Sequence, residues 1–203
     1  VETRLLMVNG LDTYGVTYRW RDDGSEADLI TAGATADLTV DGGSQTWRFP
    51  SSQQCLECHT PQTGRVLGVR TRQLNGEQRY PTTDRSDNQL RTWNHQGLFS
   101  TTLDEDDIPS WDSLVAIDDG SASLTHRVRS YIDANCMMCH QPGASQALFD
   151  ARYATPLAEQ GIIDGAVNDD LGIAGARVVV PGDVARSLLH HRLQSQDPPV
   201  RMP

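Results

Sequence analysis

Leu124-Thr125-His126-Arg127-Val128-Arg129-Ser130-Tyr131-Ile132-Asp133-Ala134-Asn135 runs without a break into Cys136-Met137-Met138-Cys139-His140. The first part has helical spacing. Leu124, Val128, Tyr131 and Ile132 recur at i, i+4, i+7 and i+8, on one face of a helix. The second part is Cys-x-x-Cys-His, and another copy stands upstream at Cys55-Leu56-Glu57-Cys58-His59. Together the two copies use all four cysteines of the 203-residue chain. This is the attachment pattern of c-type haem. Two thiols add across the two vinyl groups at one porphyrin edge, and the adjacent imidazole reaches the iron. The residues therefore imply two covalently attached haem c groups. Cys55 and Cys58 hold the first, with His59 as proximal iron ligand. Cys136 and Cys139 hold the second, with His140.

Two plainer uses of the same residues compete with this. Zinc ribbons place their Cys-x-x-Cys pairs about 15–20 residues apart, far closer than Cys58 and Cys136. Zinc also gives no reason for a histidine after each pair. A pair of disulfides or a thioredoxin-like redox site is the other alternative.

Composition narrows the partners. With 17 Lys+Arg against 27 Asp+Glu, the formal charge is -10, so the chain lacks the basic face that nucleic acid needs. No run of 18 apolar residues exists, which excludes a membrane-spanning helix. The Gly and Pro content stays below the level of disordered chains. Only 6% of residues are aromatic, which leaves room for another group in the core. Haem c is attached outside the cytoplasmic membrane in bacteria, so a periplasmic or extracellular location is expected. Val1-Glu2-Thr3-Arg4-Leu5-Leu6 reads like the middle of a strand, as expected of a processed or trimmed chain.

The pattern along the chain predicts an α+β protein: a small N-terminal antiparallel β region over 1–50, then a mainly helical dihaem cytochrome c-like region over 51–203. The first haem falls to 51–120 and the second to 121–203. Strands are expected at 16–20, 28–31, 36–40 and 46–49, in one sheet of about four to five strands, with Asn9-Gly10, Asp23-Gly24 and Asp41-Gly42-Gly43 as turns. Its expected role is to brace the haem region or to offer a contact surface. Helices are expected over 124–135, over 88–99, and over 184–193 with Asp183 as N-cap. Asp104-Glu105-Asp106-Asp107 reads as a solvated face, with calcium as the alternative.

An electron-transfer haem needs a sixth ligand. Candidates are His95, His126, His190, His191, Met7, Met137, Met138 and Met202. Met137 and Met138 sit inside the second motif, on the proximal side, and read as core packing. Met202 follows a proline-stiffened loop, Asp197-Pro198-Pro199-Val200-Arg201, which presents a thioether at low entropy cost. It is the expected distal ligand of the second haem, and His95 that of the first. His126 is expected to be exposed.

Several stretches carry a resemblance. Trp47-Arg48-Phe49-Pro50-Ser51 leading into Cys55–Pro61, Gly64–Gly68 with Gln73-Leu74-Asn75, and Asn88-Gln89-Leu90 with Asn94–Phe99 are among them. Tyr131–Cys136, Pro181-Gly182-Asp183 with Ser187-Leu188-Leu189, and Arg201-Met202-Pro203 complete the set. They resemble an uncharacterised family of secreted bacterial proteins with a C-terminal dihaem cytochrome c region, often beside or fused to sugar-dehydrogenase-like β-propellers. The resemblance implies electron transfer without a known substrate. Members of that family continue upstream of a segment like Val1–Leu6. They also continue beyond the Met-Pro element, through a helix that closes the cytochrome domain against its first helix.

Three functions follow. The first is an electron-transfer module, not an enzyme, that takes electrons from a donor dehydrogenase or other redox protein. The second is a subunit of an extracellular filament that self-associates to stack haems, since an unpaired sheet edge invites strand addition. The third is a dihaem peroxidase, which needs one iron with an open position.

Overall fold

The computed structural model describes residues 2–10, 12–40, 42–144, 148–197 and 199–202. Strands and helices are mixed, an α+β arrangement, and the chain divides into two compact units, residues 1–67 and 68–203.

The described residues of the first unit hold five strands. β1 (Glu2–Asn9), β2 (Asp12–Trp20) and β3 (Ala27–Ile30) form an antiparallel sheet in the order β1-β2-β3. Leu5 lies opposite Val16, and Thr17 opposite Ile30. β4 (Ala34–Val40) and β5 (Gly43–Phe49) form a separate hairpin with Ala36 opposite Trp47. The strand positions follow the alternation of β-branched and aromatic residues. The expected single sheet is instead a sheet and a hairpin. β3 spans only four residues and pairs with β2 alone, and the chain then turns at Gly33, whose φ is +79°. A side chain there would press on the Phe49 carbonyl and the Ser51 amide, each 3.2 Å from an added Cβ.

Polar ties join these pieces. Buried Thr17 donates its hydroxyl to the Pro50 carbonyl at 3.0 Å. Trp47 Nε1 donates to Glu2 at 3.1 Å, and the Arg19 guanidinium lies 5.4 Å from the centre of the buried Phe49 ring. α1 (Ser52–Cys58) follows at once, in the same unit as the strands. The boundary between units thus falls later in the chain than residue 50. Ser51 starts α1 with a capping box: its hydroxyl accepts from the Gln54 amide, and the Gln54 side chain accepts from the Ser51 amide.

The second unit contains α2 (Thr71–Leu74), a hairpin of β6 (Glu77–Tyr80) and β7 (Arg85–Asn88), α3 (Gln89–His95), α4 (Leu124–Cys136) and α5 (Leu188–Gln194). Among the described residues only α4 exceeds seven residues in helical length. Turns and short 3₁₀ segments fill most of the rest, so 51–203 is less helical than its patterning predicts. The hairpin at 77–88 carries polar and charged residues and gave no alternating apolar signal.

Each shorter helix has a local reason for its ends. Asn88 caps α3 by accepting from the Leu90 amide at 2.9 Å. The helix stops at His95 rather than running to Phe99, because Gly97 takes φ +68° and the Leu98 amide turns back to the Trp93 carbonyl. The helix predicted over 184–193 is split. Asp183 caps a 3₁₀ turn at Val184–Arg186 as expected, but Ser187 is extended. There the Leu188 and Leu189 amides bond to the carbonyls of Arg177 and Val178, as strands do. This sheet-like pairing outcompetes a continuous helix.

Two cores stabilise the unit. Leu74, Leu90 and Ile108 form one, flanked by Trp93 and Trp111. Asn75 is buried beside it and donates to the carbonyls of Ile108 (3.2 Å) and Trp111 (2.9 Å), while accepting from Asn88 at 2.8 Å. Ile132, Met137, Ala151, Ile162 and Val178 form the other, with Cys136, Phe149 and Leu189 packed against it. α4 is rotated relative to the expectation. Ile132 is buried, but Leu124 is 65% exposed and Val128 and Tyr131 are also exposed, while Ser130 and Asp133 point inward. The inward polar groups are stabilised by hydrogen bonds from the Val115 and Tyr153 amides. Leu124 and Val128 border an apolar groove with Leu157, Ile163 and Val179.

Candidate functional site

Each Cys-x-x-Cys-His segment is wound as a helical turn. The His59 amide bonds to the Cys55 carbonyl at 3.0 Å, and the His140 amide to the Cys136 carbonyl at 2.9 Å. Residues at i, i+3 and i+4 share one helical face, so each turn presents two thiols and one imidazole on the same side. None of the four cysteines is in a disulfide, and all are half-buried.

At the first motif, β2 lies directly against the helix. A Cβ on Gly15 would sit 2.5 Å from Cys55 Sγ and 2.6 Å from its Cβ, so only glycine leaves room for this thiol. The chain then folds into a tight turn after His59. Buried Thr63 organises it, accepting from the Thr60 amide at 3.0 Å and donating to the Cys58 carbonyl at 2.7 Å. The turn brings the Arg65 carbonyl to within 2.5 Å of His59 Nδ1. A carbonyl can only accept, so Nδ1 carries the hydrogen, and in the neutral ring the lone pair then falls on Nε2. That is the tautomer and the outer-shell tie typical of a metal-bound histidine.

The second motif continues α4. Cys136 packs against the apolar core, and burial pushes its thiol pKa above the ordinary value. Reactive redox cysteines have the opposite shift. Burial, with the nearby Arg192 charge, holds His140 below the usual imidazole pKa and so keeps it neutral, as a metal ligand must be. The Phe149 ring is stacked on it, with centroids 4.3 Å apart and planes 14° apart. The Ala151 amide bonds to the His140 carbonyl at 2.7 Å. The donor sets at both motifs, two thiols with an imidazole on the same face of one turn, fit a covalently held haem.

The other predicted ligands are less constrained. His95 is exposed at the end of α3, in the second unit. Met202 is 41% exposed, and its amide donates to the Arg192 carbonyl at 3.1 Å. Arg192 Nη1 also holds the Val200 carbonyl at 3.2 Å, which folds the tail back onto α5. His126 is not exposed as expected but half-buried, with Nε2 3.2 Å from the Ser113 carbonyl and its ring beside Tyr153. His191 donates to the Ala185 carbonyl at 2.8 Å, and Met7 is exposed on β1. Met137 is core, as read from the sequence. At Asp104–Asp107, Glu105 pairs with Arg91 at 3.2 Å. Among the described residues no three His, Cys, Asp or Glu side chains converge as a cage for a single metal ion, and no helix is long and apolar enough to cross a membrane.

Sequence reading missed Gly15, Thr63, Phe149 and Asp133. Only Gly15 left a signal, since a glycine inside a strand marks a close approach of another group. Comparison with protein-family models, with curated proteins and with solved structures finds no match to this chain.

Proposed function

We infer that this protein is a dihaem c-type cytochrome that carries electrons outside the cytoplasm, from a donor dehydrogenase to a further acceptor. One observation carries the reading: two Cys-x-x-Cys-His turns, each with both thiols and the imidazole on one face, consuming every cysteine. The His59–Arg65 hydrogen bond supports it further, because it frees Nε2 for a metal. Bound at these turns, haem iron would supply one-electron exchange between ferric and ferrous states. The chain's own residues attach it by Cys55, Cys58, Cys136 and Cys139, and ligate it by His59 and His140. In this reading His95 and Met202 remain the sixth-ligand candidates that the sequence offers. A His/Met pair lies at higher potential than a His/His pair, so electrons run from the first haem to the second. The net charge of -10 suits a partner with a basic docking face, whose association slows as salt is added.

The test is mass, optical and EPR spectroscopy of the purified protein with His95→Ala and Met202→Ala variants. Two covalent haems are expected, both low-spin, with the methionine-to-iron charge-transfer band lost only in Met202→Ala. A protein without covalent haem overturns the reading. A high-spin haem that readily binds peroxide replaces the carrier with a peroxidase.

A further inference from the structure

We propose that Asp133 is a positioning residue for the second proximal histidine: its buried carboxylate fixes residues 149–153, and that segment sets the plane of the His140 ring. The inference rests on the reading of His140 as an iron ligand.

Asp133 lies on α4 one turn before Cys136 and is 1% exposed. A carboxylate persists in such a place only where charge and hydrogen bonds compensate its lost hydration. Both are present. Arg72 Nη1 lies 3.2 Å from Oδ2, and the Tyr153 amide donates to the same oxygen at 2.7 Å. Arg129 reinforces the arrangement. It donates to the carbonyls of Tyr153 and Thr155, and its guanidinium sits 4.7 Å from the centre of the Tyr153 ring. Tyr153 is therefore held through both its amide and its carbonyl.

The consequence reaches His140 within four residues. Ala151 is fully buried and bonds to the His140 carbonyl, and Phe149 lies flat against the imidazole. This contact matters because His140 lacks the tie found at His59. Its Nδ1 is buried with no hydrogen-bond partner among the described residues. Ligand orientation by outer-shell groups tunes a metal site. At His59 a carbonyl does this, and at His140 the flat face of Phe149 does.

The test compares the full haem-loaded chain with Phe149→Leu and Asp133→Asn, by EPR of the ferric protein and potentiometric titration of both haems. Leucine keeps apolar bulk without the flat face. Asparagine keeps an acceptor oxygen without the charge. Loss of one signal in a Cys136→Ser/Cys139→Ser chain assigns the second haem. With both haems retained, each variant is expected to shift the second haem's g values and midpoint potential and to leave the first haem's unchanged. An unshifted second signal in either variant overturns the proposal. If Asp133→Asn does not retain the second haem, Arg72→Gln, which weakens the hold on the same carboxylate, takes its place with the same two outcomes. A wild-type chain with no haem on Cys136 and Cys139 overturns the functional reading itself, which is a different result.

Discussion

His59 donates its Nδ1 hydrogen to the backbone carbonyl of Arg65 across 2.5 Å. The acceptor is main chain, so the bond depends on the turn and not on the Arg65 side chain. Thr63 holds that turn through the Cys58 carbonyl and the Thr60 amide. Thr63→Val removes both hydroxyl bonds and leaves the Cys58 carbonyl and the Thr60 amide only their bond to each other at 3.0 Å, at a cost of about 1–3 kcal/mol. A weakened Nδ1 bond makes the imidazole a poorer donor, which favours ferrous iron. The expected outcome is a lower unfolding midpoint and a raised midpoint potential for the first haem alone. Unchanged potentials by redox titration would refute the link.

Gly15 and Cys55 are too close for any side chain to come between them. Gly15→Ala forces either β2 or α1 to move, since the added Cβ meets Sγ at 2.5 Å. Overpacking of this kind costs about 1–3 kcal/mol. Intact-protein mass spectrometry is expected to show chains that carry one haem, on Cys136 and Cys139, in place of two. Full occupancy of both motifs would show that the strand does not constrain the thiol.

Asn75 binds four groups with one amide, the carbonyls of Ile108, Trp111 and Asp112 and the Asn88 side chain, at the edge of the Leu74–Leu90–Ile108 core. Asn75→Leu has similar bulk and removes all four bonds, taking this partner from the Trp111 and Asp112 carbonyls and the Asn88 amide, while the Ile108 carbonyl keeps the Trp111 amide at 3.2 Å. A loss of at least about 2 kcal/mol in urea unfolding is expected. A loss under about 0.5 kcal/mol, the usual surface value, would show that water replaces the amide.

Asp150 gives the second unit an acid limit. Burial raises its pKa, but hydrogen bonds from Arg152 and Thr155 outweigh that and hold it below the ordinary 3.8. A carboxyl whose folded pKa is depressed stabilises the fold above its unfolded pKa and ceases to do so as pH falls through the folded value. The Asp150→Asn variant is therefore less stable than wild type at neutral pH. The difference shrinks once pH drops below about 4. Thermal unfolding from pH 7 to pH 2 measures it, and a difference independent of pH would contradict the assignment.

Much of the local structure was legible in the residue order. Asp183 and the helix over 124–135 were visible because capping and 3.6-residue periodicity act over a few residues. Strands β2 to β5 were visible because alternation does the same. The groups that shape the motifs were not, because their roles depend on contacts between distant segments. Asp133 looks like any polar helix residue until Arg72 and the Tyr153 amide meet it. Phe149 looks like an isolated loop aromatic until it stacks on His140. The apolar stripe of Leu124, Val128 and Tyr131 pointed to the wrong buried face, since hydrogen bonds to Ser130 and Asp133 decide how α4 is rotated.

By itself the sequence determined where two thiols and a histidine recur at haem spacing, and that strands precede the first of them, because spacing and periodicity are properties of neighbours along the chain. Only the tertiary structure decided that Gly15 makes room for Cys55, and that His59 is oriented by a carbonyl and His140 by a ring. Those contacts join residues that chain order separates, and packing alone brings them together.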